Sequence, residues 1–409
     1  MAKKMNEIEV PKVTDPKATI RTIRNSLNKD DEDKITWDLT KDDSPAFVRD
    51  WLSTGSTILD YIISNRRDGG VPCGKITELQ GEESSGKSLI CAHLIANTQK
   101  KGGIAIYLDT ENASNPDFMR RIGVDLEKLI YVQPGTIEKA FEIIENVIKT
   151  LRAKAPNQPV TILWDSVGNT PPQAEIEGTY DANARMGLGA KAMAIGLRKT
   201  TDLIGREQIT MVFTQPLTYR MDAGMYGDPL GTKYGKALPY HSSVRLRVSS
   251  STKLKDKSND IYGIVTNGRI IKSRLGTSHR TCKFEIHFDY GIDDEASWFL
   301  VLHEAGVIKK PGNGWCYIPE LPSGKVEEKG VDAGKDRGIG FREAEFGQLC
   351  RDDLVVRKWA LDTLEKLLVV KYDDKRPIRE GVEVPSSEDD PAVEATVKKK
   401  PDEPETVAV

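Results

Sequence analysis

The sequence has few cysteines and no long apolar run, and charge of neither sign dominates. Cys73, Cys91, Cys282, Cys316 and Cys350 are scattered, odd in number and never spaced as Cys-x-x-Cys. That pattern indicates neither a disulfide framework nor a zinc ribbon. No apolar stretch approaches the roughly 20 residues needed to span a bilayer. The start, Met1-Ala2-Lys3-Lys4-Met5, lacks the apolar core of a signal peptide, so the expectation is a cytoplasmic protein with no membrane partner. The formal net charge is −3 over 409 residues, so any surface for nucleic acid must come from local segregation of charge. A chain of this length can bury a proper core, as one large domain with additions or as two to three domains.

What is present is organised around one stretch, Gly81-Glu82-Glu83-Ser84-Ser85-Gly86-Lys87-Ser88. A Gly, four free positions, then Gly-Lys-Ser is the phosphate-binding loop pattern. Here it lies between a strand-like run, Ile76 to Leu79, and a helix-like run, Leu89 to Gln99. Gly81 and Gly86 let backbone N–H groups close around an anion. Lys87 is placed to reach the β- and γ-phosphates and the Ser88 hydroxyl to ligate Mg²⁺, which makes ATP and Mg²⁺ the expected cofactors. The bland alternative is a Gly/Ser-rich turn before an ordinary helix.

Along the chain, Ile20, Ile23 and Leu27 share one face of a short N-terminal helix with arginines beside it. Strand-like runs Ile104 to Asp109, Val160 to Asp165 and Ile209 to Gln215 alternate with helical stretches Glu138 to Ala153 and Lys191 to Ile204. That alternation indicates an α/β fold with a parallel sheet and ligands at the strands' C-terminal ends. Runs Val244 to Ser249, Gly268 to Lys272 and Lys283 to Phe288 suggest antiparallel strands extending the sheet. Residues 299–372 read as a smaller unit with a helix from Asp353 to Val369. Beyond it the chain is rich in Glu, Asp, Pro and Ser, an expected disordered acidic tail.

Asp165 closes an apolar strand, where a nucleoside triphosphatase places the carboxylate that holds Mg²⁺ through water. An Asp that merely caps the next segment is the competing reading. Hydrolysis also needs a base to orient water, and Glu111 stands two residues past its strand on the same sheet edge as Lys87 and Asp165. Asp109 competes for that role, but the longer Glu111 side chain lies beyond the strand. Gln215 ends another strand and leads into residues 216–235, with Gly224, Gly227, Gly231 and Gly235 among Tyr219, Arg220, Tyr226, Lys233 and Tyr234. Mobile glycine, cations and aromatics fit a loop that orders on single-stranded nucleic acid, and fit a nucleotide-sensing lid equally.

The phosphate loop, Leu108-Asp109-Thr110-Glu111, Trp164-Asp165-Ser166-Val167, Ala174 to Gly178 ending in Met186-Gly187-Leu188, and Val244-Arg245-Leu246 together resemble the RecA family of recombinases, in the family's order. The resemblance covers about residues 49–298. It implies a RecA-like P-loop ATPase core (49–298) with a mostly parallel central sheet. Around the core it implies an N-terminal polymerisation segment (1–48), a small C-terminal α/β domain (299–372) and the acidic tail (373–409). It casts Glu111 as the catalytic glutamate, Gln215 as the switch from γ-phosphate to DNA, and Phe118, beside Asn115, as the residue that stacks on adenine. Residues 177–187 become the first DNA-binding loop and 216–235 the second. Met186 would wedge between base triplets, Gly187 would end the first loop, and Lys191 and Arg198, on one helix face, would contact phosphates. Arg220, Lys233 and Gly235 would serve the second loop. Lys272 and Arg274 match paired cations that reach the neighbouring subunit's γ-phosphate.

The implied function is ATP-dependent formation of a helical filament on single-stranded DNA and strand exchange with duplex DNA. Single-strand-binding and mediator proteins are the implied helpers. Arg274 stands where a Lys is usual, Asn115 for an Asp, Pro239 for a Lys and Tyr234 for a Gly, departures that touch base stacking and loop geometry. The divergent flanks point to a bacteriophage version of the family. Two other classes remain open on the sequence alone, a ring-forming helicase on the same ATPase core and a non-enzymatic mediator.

Overall fold

The computed structural model describes residues 15–28, 34–40, 44–112, 114–177, 187–219, 230–319, 321 and 338–371. Its centre is a nine-stranded sheet built from β1 (Ile76–Gly81), β2 (Ile104–Asp109), β3 (Leu129–Val132), β4 (Val160–Asp165), β5 (Ile209–Pro216), β6 (Val244–Lys255), β7 (Ile261–Ser273), β8 (Thr281–His287) and β9 (Gly291–Asp293). The spatial order is β9-β8-β7-β6-β1-β5-β4-β2-β3. The six strands from β6 to β3 pair in parallel, while β6 to β9 pair antiparallel. The expected α/β class with a mostly parallel sheet is therefore observed. Strand β6 differs in detail: it joins the parallel set through Val244 to Val248 on β1 and begins the antiparallel set on its other side.

The central strands are continuous apolar runs because helices cover both faces. Helices α2 (Thr57–Ser64), α3 (Lys87–Lys100), α4 (Pro116–Ile122), α5 (Ile137–Lys154) and α6 (Leu188–Arg206) flank the sheet and its loops, and α1 (Pro16–Leu27) precedes them in the chain. On one face Ile90, Leu94 and Ile95 of α3 pack with Leu79, Leu163 and Val212. On the other, Phe141 and Ile144 of α5 and Met193 and Leu197 of α6 pack on Ile106, Trp164 and Phe213. Trp164, fully buried, meets Phe141 edge-on at 5.3 Å and Phe213 at 5.7 Å. The first of these clusters runs on through Phe299, Ile308, Phe341, Phe346 and Leu364, beneath a three-stranded antiparallel sheet and the helix Leu354–Leu368. All described elements belong to the unit Met1–Val369.

Helix α1 carries Ile20, Ile23 and Leu27 about half exposed, and none of its residues is buried. No helix among the described residues is long and apolar enough to cross a membrane. The acidic tail, 373–409, lies outside the described residues.

Candidate active site

Strand β1 delivers the chain into the phosphate-loop segment, and α3 leaves it. Gly86 caps α3 with φ +97°, and Ser84 turns with φ +57°. A Cβ on Gly81 would stand 2.3 Å from Ser85 Oγ and 2.7 Å from the Val248 carbonyl, so only glycine fits there. Ser85 Oγ donates to the Glu82 carbonyl at 2.7 Å, closing the loop on itself. Lys87 Nζ donates to the carbonyls of Gly81 (3.0 Å) and Glu82 (2.7 Å), so the ammonium lies folded over the concave side. Burial lowers its pKa, opposed by the charges of Asp165 and Glu111.

The loop opens into a cavity of about 480 Å³ walled by Lys87, Ser88, Glu111, Asp165, Asn169 and Pro216, with Ile264, Ile286 and Phe288 as an apolar side. Lys87 and Ser88, Glu111, and Asp165, drawn from three sequence segments, thus meet at one place. Asp165 and Asp109 are register partners at the C-terminal ends of β4 and β2. Asp165 accepts from Tyr107 OH at 2.9 Å through Oδ2 and from Thr214 Oγ1 through Oδ1. Burial, then the charge of Asp165, pushes the Tyr107 phenol well up, so it stays a donor. The Asp165-Ser166 peptide is cis.

Asp109, the competing base, is fully engaged. It accepts from the N–H groups of Glu111 and Asn112 (both 2.9 Å), from Ser114 Oγ (2.6 Å) and from Tyr131 OH (2.9 Å). Burial raises its pKa, but the hydrogen bonds from Ser114, Tyr131 and the backbone outweigh this and hold it below the usual value. Its carboxylate shapes the turn that presents Glu111. Glu111 itself is exposed on the cavity wall, and its Oε1 accepts from Ser166 Oγ (2.5 Å) and Asn169 Nδ2 (2.8 Å).

Gln215 is 1% exposed and lies behind that wall, which its neighbour Pro216 forms. It is the register partner of Gln80, and its Oε1 is buried with no partner among the described residues. Asn115 caps α4, accepting from Asp117 N at 2.9 Å and Phe118 N at 3.2 Å, while Phe118 is half buried on the core. Neither lines the cavity.

Met186 and Arg220 lie outside the described residues. Gly187 caps α6 with φ +85°, and Lys191 and Arg198 are exposed on that helix. Lys233 and Gly235 are exposed at the close of the 216–235 segment, Gly235 with φ +71°. Lys272 sits inside β7, one residue before its end, and Arg274 follows the strand. Lys272 Nζ donates to the carbonyls of Pro239 (2.7 Å) and Tyr240 (3.2 Å), and Arg274 donates to the latter at 2.8 Å. Ser273 pairs with Val244, and Val244 with Thr77. The two cations therefore stand at the opposite sheet edge from their own phosphate loop.

Sequence reading missed Asn169 and Phe288 on the cavity wall and the donors Tyr107 and Thr214 on Asp165. A lone Asn after a strand carries no signal. Thr214 and Tyr107 are flagged only by alternation, which places them on one face with Asp165 between them once the strand order is known. Tyr234 adopts φ +62°; its ring lies over Gly189, where a Cβ would be 2.1 Å away, and its OH donates to the Thr170 carbonyl at 2.7 Å.

The chain matches the family model of the RecA N-terminal domain over residues 34–293. It is 34% identical over 301 residues to Protein RecA of Arthrospira platensis, covering 74% of this chain and 76% of that one. Against Protein RecA of Thermus thermophilus the identity is 34% over 307 residues, 75% of this chain and 87% of the relative. Against that of Chlorobaculum tepidum it is 36% over 279 residues, 68% and 77%.

Proposed function

The chain belongs to the RecA family, and from that premise we propose that it is a DNA-dependent ATPase that assembles as a helical filament on single-stranded DNA and exchanges strands with a homologous duplex. The observation that carries the reading is the meeting of Lys87, Ser88, Asp165 and Glu111 around one cavity above α3. The donor set fits a magnesium nucleotide: loop N–H groups and an ammonium for phosphate oxygens, a hydroxyl and a carboxylate for a hard cation. Bound Mg²⁺ supplies charge neutralisation on the phosphates.

Within this reading Lys87 exchanges its two loop carbonyls for phosphate oxygens. Ser88 would hold the cation directly and Asp165 through water, Asp165 being oriented by Tyr107 and Thr214. Glu111 orients the attacking water and accepts its proton through Oε2, both of its donors among the described residues binding Oε1. Gln215, which lies behind Pro216, would turn into the cavity to report the γ-phosphate to the 216–235 loop, which with Lys191 and Arg198 contacts DNA. Lys272 and Arg274 serve the site of a neighbouring protomer, and the exposed apolar stripe of α1 supplies assembly contacts.

The test is ATP hydrolysis with and without single-stranded DNA in the wild type and Glu111→Gln, with negative-stain microscopy of the same samples. The expected result is DNA-stimulated hydrolysis, lost in the variant while filaments persist. Closed rings, or hydrolysis indifferent to DNA, would instead favour a motor on the same core.

A further inference from the structure

The turn at residues 166–170 touches both the carboxylate that the proposed function needs and both described ends of the 216–235 loop. On its inner side, Ser166 Oγ and Asn169 Nδ2 donate to the same oxygen of Glu111. The backbone of the turn is fixed to the segment that carries Glu111 by Thr110 Oγ1, which donates to the Ser166 carbonyl at 2.8 Å. On its outer side the two loop ends grip it. Gly168 lies so close to Pro216 that a Cβ would stand 2.8 Å from two ring carbons and 3.2 Å from Gln215 Oε1. Two residues on, the Thr170 carbonyl accepts from Tyr234 OH at 2.7 Å.

We propose that Asn169 is a positioning residue for Glu111, and that the 166–170 turn passes the placement of the loop ends at Pro216 and Tyr234 to that carboxylate. This rests on the reading of Glu111 as the base and of the 216–235 loop as a DNA contact. The physical content is steric and directional. Close packing at Gly168 leaves no slack, so a shift of the Gln215-Pro216 strand end moves the turn rather than being absorbed. A turn that moves carries Ser166 and Asn169 with it, and these two donors set where Glu111 Oε1 points. Asn169 is exposed and lies on the cavity wall, so its amide contributes direction to Glu111 with little burial of its own.

The experiment uses the full chain, with ATP hydrolysis measured as kcat and KM with and without saturating oligo-dT. Asn169→Ala is expected to lower kcat about 10-fold with little change in KM, the loss of one charge-assisted donor. Asn169→Asp keeps the shape and replaces the donor by a like charge, so it falls at least as far; a purely structural Asn would tolerate it. Added to Glu111→Gln, Asn169→Ala has no further effect, because it acts through the carboxylate. Tyr234→Phe, which keeps the ring over Gly189 and removes only the bond to Thr170, lowers the ratio of DNA-stimulated to DNA-free rate several-fold. Wild-type kcat in Asn169→Ala, a tolerated Asp, or an unchanged ratio in Tyr234→Phe at an unchanged melting temperature overturns the proposal while leaving the ATPase reading intact. If Glu111→Gln hydrolyses ATP like the wild type, the premise itself falls.

Discussion

Arg245 Nε lies 2.6 Å from Glu78 Oε2, and the Glu78 side chain has no exposed surface. The pair joins neighbouring strands in register, β6 to β1, three residues before the phosphate loop begins at Gly81. The other carboxylate oxygen accepts from Gln80 Nε2 at 2.8 Å. A buried charge with one cationic partner is costly to orphan. Arg245→Ala is therefore expected to cost about 3 to 5 kcal/mol of stability. The double replacement Arg245→Met with Glu78→Leu recovers most of that, because it removes both charges and keeps apolar volume. Urea unfolding of the three proteins checks the pattern; equal losses in the single and double variants would argue against it.

Two carboxylates, the buried Asp60 and the partly buried Asp294, set a pH dependence. Asp60 accepts from Thr54 N (2.8 Å), Thr54 Oγ1 (2.7 Å) and Ser53 Oγ (2.6 Å), and Asp294 accepts from Thr57 N (2.7 Å) and Thr57 Oγ1 (2.5 Å). Burial pushes each up to about 7, more than these hydrogen bonds pull it down, and the charge of Asp294 adds to the rise at Asp60. A carboxyl whose folded pKa exceeds its unfolded value holds its proton more tightly in the folded state. The resulting stability is complete below about pH 4 and is lost as pH rises through about 7. Each group contributes on the order of 2 to 4 kcal/mol across that window. In Asp60→Asn, which keeps an acceptor for Thr54, the fall in melting temperature between these pH values is smaller than in the wild type. An identical pH slope in both proteins would remove Asp60 from the account.

Much of this architecture is legible in the sequence, and the limits have physical causes. The phosphate loop, Asp165 and Glu111 are readable because each rests on a local pattern, a glycine spacing or a polar residue ending an apolar run. Strand β3 is not, since Ile130 and Tyr131 are exposed on the sheet's outermost strand and no alternation marks it. The second half of β6, Ser250 to Lys255, reads as a polar link; pairing with β7 makes it a strand. The bond from Asn169 to Glu111 spans 58 positions and follows only from the adjacency of β2 and β4. Gln215 is legible as a strand end, but its burial behind Pro216 is not.

The placement of Lys272 and Arg274 supports the last prediction. From Thr77, level with Ser273 across two strands, to Gly81 is four residues of strand, roughly 13 Å. The cations and the phosphate loop of one chain thus face away from each other along the sheet, and the cations rest on the carbonyls at Pro239 and Tyr240. If they act on nucleotide, it is on that of another copy, where a trans-acting cation is worth about a thousandfold or more in rate. Lys272→Ala with Arg274→Ala is expected to abolish most DNA-stimulated hydrolysis while leaving nucleotide affinity of the dilute protein unchanged. Glu111→Gln fails for a different reason, the loss of its own base. Mixing the two inactive variants before adding DNA then regenerates sites with Glu111 from one protomer and the cations from the next. Partial recovery of ATPase on mixing is the expected result. Two inactive proteins that stay inactive together would place Lys272 and Arg274 in the service of their own chain's fold, bracing the carbonyls at 239–240.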